Sequence, residues 1–242
     1  MEAWRLIHSW NAAPGFNMAL DEALLLLPHG RPTLRFYTWS PETLSLGYFQ
    51  KALEVPNLER AQVAVRRLTG GGAIHHAREL TFSITCDASH PLYAGEVRRS
   101  YAQVHGVILD VLAQLGVEGS YRGQASLRSD LPDTGMCFEH STDLDLAWDG
   151  KKGVGSAQRR TRGRVLHHGS IKLGRSSLDA SVAAIWDHAP GLSAEALAEL
   201  LGAGLADGFG WRLEAGEPEP EELAHASERA AHFTSEAFLR RR

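Results

Sequence analysis

In FNMALDEALLLLP, Leu20, Ala23, Leu24 and Leu27 fall at the spacing of one helical face. Asn17 stands where a cap is wanted, Asp21 and Glu22 lie in the early turns, and Pro28 ends the pattern. Short β-like runs follow: TLRFYTW (33–39), TLSLGYFQ (43–50), VAVRRL (63–68) and LTFSITC (80–86). In the last of these Phe82, Ile84 and Cys86 share one face, so Cys86 reads as buried packing. A long helix is predicted where Val104, Val107, Ile108, Val111, Leu112 and Leu115 form one stripe. LDLAWDGKKGVGSAQ reads as a hairpin, because Asp149-Gly150 is a strong two-residue turn signal. VLHHGSIKL (165–173) is a further strand, and the remainder reads as helical, with SAEALAELLGAGL and EELAHASERAAHF separated by the polar EAGEPEPEE. Strands broken by helices without regular βαβ alternation predict an α+β fold, a mixed and largely antiparallel sheet flanked by helices. No internal repeat divides the chain, so residues 1–242 read as one domain with a helical tail from about 176 to 242.

Composition narrows the class. With 43% apolar and 22% charged residues the chain is globular rather than disordered. A net charge of -4 gives no global case for nucleic acid or an anionic membrane. The start MEAWRLIHSW has neither a basic nor an apolar leader region, and no apolar run approaches the roughly 20 residues of a membrane span. Two cysteines do not make a disulfide framework, so a reducing cytoplasm is expected, with a monomer as default. Charge is uneven, however: residues 151–175 hold eight Lys or Arg and no Asp or Glu. That run is either a solvated strand face or a docking surface for an acidic protein or a phosphate-bearing ligand. It lacks the interleaved aromatics that single-stranded nucleic acid would stack on.

VRRLTGGGAIHHARELTFS (65–83) asks for an explanation, since glycine weakens a strand interior. The glycines lead into a strand rather than opening a helix, which excludes a dinucleotide fingerprint, and no P-loop sequence is present. A strand–Gly–strand crossing whose bare amides form an anion-binding concavity remains, with Arg66 and Arg67 offering a fork for carboxylate or phosphate. The alternative is a tight corner with exposed arginines. KKGVGSAQRR (151–160) again puts small residues, Gly153, Gly155, Ser156 and Ala157, on a strand beside cations. Two such strands fit one shared pocket better than two unrelated corners. Adjacent strand residues point to opposite faces, so neither His75-His76 nor His167-His168 chelates a metal as a unit; no metal is expected.

NMALDEALL, TLRFYTW, SLGYFQ, RRLTGGGAIHH, ELTFS, KGVGSAQRR and LHHGSIKL, in this order, resemble the lipoate–protein ligase and octanoyltransferase family. The match covers about residues 4 to 175, and ELTFS with Cys137-Phe138 is most similar to the cysteine-dependent octanoyltransferases. The resemblance implies the α+β catalytic domain shared with biotin–protein ligases. It places Arg67, Thr69, Gly70, Gly71 and Gly72 on an acyl pocket together with His76, Gly155, Ser156, Ala157 and His168. It makes Lys152 the family's functional lysine. Two departures stand out: Ala77 where an Asp usually follows the histidine, and Gly153 where Val or Ile usually follows the lysine. The first puts an aspartate-assisted role for His76 in doubt, and the second suggests a looser strand beside Lys152.

The activity implied is transfer of an octanoyl group from acyl carrier protein to a lipoyl-domain lysine through a thioester on Cys137. The acceptor would be the lipoyl domain of a 2-oxoacid dehydrogenase or the glycine cleavage H protein. Cys137 sits among Pro132, Gly135 and polar residues that read as a loop or strand entry. Free cysteine is only a few per cent thiolate near neutrality, so Lys152 would stabilise the thiolate, with His76 or His168 as general base. No cofactor is expected on this reading. An ATP- and Mg-dependent lipoate ligase is the near alternative, although the segment after Arg175 is short for an accessory domain. A non-catalytic acyl- or carrier-binding module is the alternative from another class. Chain-length preference and the identity of the donor are not legible.

Overall fold

The computed structural model describes residues 1–27, 30–55, 57–123 and 143–242. The chain forms β1 (Glu2–Ala12), α1 (Pro14–Leu26), β2 (Thr33–Trp39), β3 (Thr43–Leu46), β4 (Val63–Arg66), β5 (Ile74–His76) and β6 (Glu79–Asp87). There follow α2 (Val97–Gln114), β7 (Ser120–Tyr121), β8 (Leu146–Trp148), β9 (Lys151–Thr161) and β10 (Arg164–Lys172). The chain ends with α3 (Ala194–Phe209), β11 (Trp211–Ala215), α4 (Pro220–Thr234) and α5 (Glu236–Leu239). Among the described residues eight strands make one sheet in the order β11-β1-β2-β6-β10-β9-β8-β7, and three make a second in the order β4-β3-β5. The first sheet is parallel from β11 through β1 to β2 and antiparallel from β2 onward. This is the mixed, largely antiparallel α+β architecture that the strand pattern predicts.

Alternation along the central strands sorts side chains between two helical layers. Leu34 and Phe36 of β2, Phe82, Ile84 and Cys86 of β6, and Val165 and Ile171 of β10 meet α2 and α3. Tyr37 and Leu166 meet α1 and α4 on the other face. Covered on both sides, these strands lose the polar-out alternation of a half-exposed sheet. Yet the α1 side of β6 and β10 carries Glu79, Thr81, Ser83, His168, Ser170 and Lys172, all buried. A polar stripe inside a covered layer is costly unless every group finds a partner. That cost marks the place to look for function.

Several expectations are corrected locally. Asn17 does not cap the first helix: Pro14 opens it behind Ala13, and Asn17 lies buried in its second turn, accepting a hydrogen bond from Arg35 at 2.5 Å. β3 stops at Leu46 rather than running to residue 50, and at Gly47 the backbone packs so closely on the glycine run that a Cβ would stand 1.9 Å from the Gly71 carbonyl oxygen. β4 likewise stops at Arg66, before the chain turns into the glycines. The segment after 175 is not wholly helical: β11 pairs in parallel with β1, where Trp211 stacks on Trp4 at 3.8 Å. The hairpin holds as read, with Asp149 and Gly150 both left-handed (φ 52° and 68°). Pro28 lies outside the described residues. Among the described residues no helix is long and apolar enough to cross a membrane.

Candidate active site

The glycine run between β4 and β5 closes one wall of a pocket with about 630 Å3 of empty space, part of it open to solvent. Its other wall is the polar stripe of β10 and the start of β9. Gly70, Gly71, Gly72 and Arg67 meet Gly155, Ser156, Ala157, His168 and Lys152 across it, so the two glycine-rich strands do share one pocket. His76 lines it as well, whereas Thr69 stands just behind, bonded to His168. Met18, Tyr37, Trp39, Ala73 and Ile74 make the surface more apolar than polar.

Gly71 has φ +93°, so a bulkier residue would be strained there. The arginines that the sequence offers for an anion are used otherwise. The Arg67 guanidinium donates to the carbonyls of Gly70 and Gly72 at 2.7 Å each and to that of Ser45 at 3.0 Å. Burial lowers its pKa to about 10. Arg66, fully buried, donates to the carbonyls of Gly47, Gln50, Phe238 and Leu239. Both forks close on backbone carbonyls, so neither is an exposed corner residue. Arg67 faces the pocket as the tie that shapes the glycine loop.

Two carboxylate–imidazole–hydroxyl chains line the pocket. Asp21 faces His168 Nδ1 at 3.2 Å, and His168 Nε2 meets the Thr69 hydroxyl at 2.6 Å. Glu79 faces His76 Nδ1 at 2.5 Å, and His76 Nε2 meets the Ser45 hydroxyl at 2.7 Å. In each, the carboxylate holds the Nδ1–H tautomer and leaves Nε2 as the acceptor. Asp21 also accepts from Arg35 (2.9 Å), Tyr37 (2.9 Å) and Ser83 (3.0 Å), and these partners outweigh burial and lower its pKa. Glu79 accepts from Thr81, Ser170 and Lys172 besides His76, and its pKa is also held far down against burial. His76 is stacked on Trp39 at 4.1 Å, and burial lowers its pKa. The doubt raised by Ala77 is thereby answered: Glu79, three residues on, supplies the carboxylate for His76.

Lys152 lies over Gly155 and donates to Asp145 at 2.8 Å, with both side chains mostly buried. A Cβ at Gly155 would stand 2.7 Å from Lys152 Cε, so this glycine makes room for the lysine. Gly153 is the residue at which the ladder to β8 is irregular: Leu146 pairs with Val154 and Ala147 with Lys152, so the glycine is skipped. The Trp148 indole covers it so closely that a Cβ would come within 1.9 Å.

On the far side of β9 lies a histidine pair that sequence reasoning passed over. His105 Nδ1–H donates to the Leu144 carbonyl at 2.6 Å, so Nε2 accepts the Ser156 hydroxyl proton at 2.7 Å. His167 Nε2–H then donates to the same oxygen at 2.9 Å, and its Nδ1 accepts from Tyr93 and Gln158, each at 3.3 Å. Burial lowers both histidine pKa values, in keeping with the neutral forms this chain of bonds requires. Asp21, Asp145, Glu79 and His105 were not singled out as site residues, since each sits alone in its local pattern. Glu79 was visible only as the first letter of ELTFS.

His75 and His76 turn to different partners, Ser176 (2.6 Å) against Glu79 and Ser45, and His167 and His168 likewise, as strand alternation requires. The basic run of 151–175 is not one face: Lys172 is buried with Glu79, Arg164 reaches Asp87 at 3.0 Å, and Arg175 pairs with Asp187. Cys86 is 1% exposed in the core, where burial pushes its thiol up to about 12. Cys137 lies outside the described residues.

Residues 13–188 match the model of the lipoyl protein ligase A/B catalytic domain. The chain belongs to that family. The octanoyltransferase LipM of Kyrpidia tusciae is 34% identical over an alignment covering 98% of both chains. That of Brevibacillus brevis is 41% identical over 72% of this chain and 67% of its own. Among solved structures, lipoate-protein ligase A bound with ATP superposes with a TM-score of 0.80 at 21% identity, covering 99% of each chain. The bipartite lipoate protein ligase of Thermoplasma acidophilum gives 0.76 at 19%, covering 99% of this chain and 96% of its own. At such identities these two superpositions speak for the fold, the ligase-like catalytic fold that the resemblance implies.

Proposed function

We propose that this chain is an octanoyltransferase that moves the acyl group from a carrier thioester to a lipoyl-domain lysine, by way of a thioester on Cys137. The observation that carries the reading is end-to-end similarity to a curated octanoyltransferase, 34% identical over 98% of both chains. The pocket supports it, because its apolar walls suit a fatty acyl chain and its polar end gathers Lys152, His168 and the glycine loop.

In the first step the Cys137 thiolate attacks the donor carbonyl and the carrier thiol leaves. In the second, the acceptor amine attacks the enzyme thioester, an amide forms, and the amine's proton passes to the departing cysteine sulfur. The first exchange is nearly balanced and the second runs downhill. Lys152, steadied by Asp145 at 2.8 Å, supplies positive charge for the thiolate and the developing oxyanion. His168, which lines the pocket and is oriented by Asp21, is the better supported general base for the Cys137 thiol, while His76 is covered by Trp39. Acyl carrier protein is the donor on this reading, and a 2-oxoacid dehydrogenase lipoyl domain or glycine cleavage H protein the acceptor. The donor thioester is already activated, so neither ATP nor Mg is required.

The test is intact mass spectrometry with octanoyl carrier protein and a lipoyl domain, run with and without ATP. An octanoyl adduct on Cys137, lost in Cys137→Ser together with activity, is expected. No adduct on Cys137 combined with full activity of Cys137→Ser rejects the thioester route. ATP-dependent lipoylation without any carrier decides for a ligase, and binding without amide formation for a non-catalytic module.

A further inference from the structure

Beside the acyl pocket lies a smaller one, with about 300 Å3 of empty space, part of it open to solvent, lined by Lys152, Gly155, Ser170, Lys172, Asp179 and Val182. It shares Ile74, Lys152, Gly155 and Ser170 with the acyl pocket, so the two are direct neighbours. Its unusual member is Asp179, 1% exposed, whose two carboxylate oxygens accept no well-formed hydrogen bond from the described residues. Its nearest counter-charge is the Lys172 ammonium, 3.3 Å from Oδ2. Lys172 already serves Glu79 at 2.8 Å and the His75 carbonyl.

Charge bookkeeping around this pocket leaves a remainder. Lys152 is matched by Asp145, and Lys172 by Glu79, while buried His76 is held neutral beside Glu79. Among the described residues Asp179 is left to share the Lys172 ammonium with Glu79. A buried charge without its own partner is costly, and native structures keep one only where something else supplies the partner. A pocket wall with Val154, Val182 and Ile74 beside that carboxylate suits an apolar stem that ends in a cation.

We infer that this side pocket receives the primary ammonium of the acceptor lysine, with Asp179 as the carboxylate that binds it and takes its proton. The inference rests on the acyl-transfer reading above and adds where the second substrate enters. The proton balance is simple: the lysine ammonium and the Asp179 carboxylate become a free amine and a carboxylic acid. The amine attacks the acyl carbonyl, and the thiolate that leaves takes the proton shed by the new amide nitrogen. Burial raises the Asp179 pKa above that of an ordinary aspartate, which makes it a better proton acceptor than a solvated carboxylate. The backbone supports the location: the Ala183 amide donates to the Lys152 carbonyl at 2.9 Å, fixing the Asp179 segment against the strand that carries Lys152.

The test separates the two half-reactions. Asp179→Asn should fold, because Lys172 keeps Glu79 as its partner. It should form the octanoyl-enzyme from a thioester donor at close to the wild-type rate. Single-turnover transfer from that acyl-enzyme to a lipoyl domain should fall by about 100-fold or more. Transfer to hydroxylamine, an amine that is neutral near pH 7 and needs no base, should stay near wild type. Val182→Met, which fills the side pocket without touching the charges, should reproduce the split and covers the case of an unstable asparagine variant. Wild-type lysine transfer in both variants overturns the inference, as does equal loss of the donor and both acceptor reactions. A wild-type protein that forms no octanoyl amide at all sinks the acyl-transfer reading as well, so the two failures are distinguishable.

Discussion

Two glycines two positions apart on β9 do opposite things. At Gly155 an added Cβ would crowd the end of Lys152, a flexible side chain, at 2.7 Å from Cε and 2.8 Å from Nζ, with Asp145 Oδ1 next at 3.6 Å. At Gly153 it would meet the Trp148 ring, fixed in the core, at 1.9 Å. Gly155→Ala should therefore leave the melting temperature nearly unchanged while displacing the ammonium, lowering octanoyl transfer about 100-fold, as misplacement by an ångström does. Gly153→Ala should instead cost about 1–3 kcal/mol of stability, as overpacking does. Thermal melts paired with transfer assays check both, and a destabilised Gly155→Ala with unaltered turnover would contradict the roles assigned. At this scale the sequence was informative about where small residues mattered and silent about why. The glycines, Lys152 and His168 were legible because they cluster in short motifs. Asp21, Asp145 and Asp179 were not, since a carboxylate on a helix or loop carries no local sign that it will be buried against a distant cation.

At the level of elements, β2 was readable to the residue, because TLRFYTW is β-branched and aromatic throughout and is bounded by polar turns. β11 was not, because WRLEA is short, half polar and sits at an edge. Its strand character comes from β1 and from the stack of Trp211 on Trp4, both distant in sequence. That end of the sheet is tied by Arg5, which is fully buried and donates to both oxygens of Glu222 at 2.9 and 2.7 Å. Glu222 also accepts from the Glu219 amide at 2.7 Å, closing the first turn of α4. Glu222→Gln leaves the Arg5 charge poorly matched in the interior, and a cost of about 3–5 kcal/mol is expected. Chemical denaturation should register it as a lower midpoint. Octanoyl transfer well below that midpoint should persist, since the pair lies at the opposite edge of the sheet from Lys152. Loss of transfer with unchanged stability would mean that β11 and α4 act on the site directly.

Across the whole molecule, the polar stripe inside a covered sheet has a consequence for how the fold answers to pH. Burial depresses His75 to about 4 and lowers His76, His105 and His167 as well. In the unfolded chain each would take up a proton near pH 6.5. Between that value and the lower folded one, the unfolded state holds more protons, so stability rises with pH and is lost as pH falls. Asp21 and Glu79, both depressed by their cationic and hydrogen-bonding partners, extend the same loss below the usual carboxylate range. Asp179 is shifted upward and opposes it, but it is one group against several. The melting temperature should therefore decline steadily from about pH 7 downward, beginning well above the range in which carboxylates titrate. His167→Gln, which retains a hydrogen-bonding side chain beside Ser156 and cannot titrate, should flatten the upper part of that decline. A melting temperature constant between about pH 5 and 7 would show that these histidines gain partners for their charged forms, and that the neutral tautomers assigned around Ser156 are wrong.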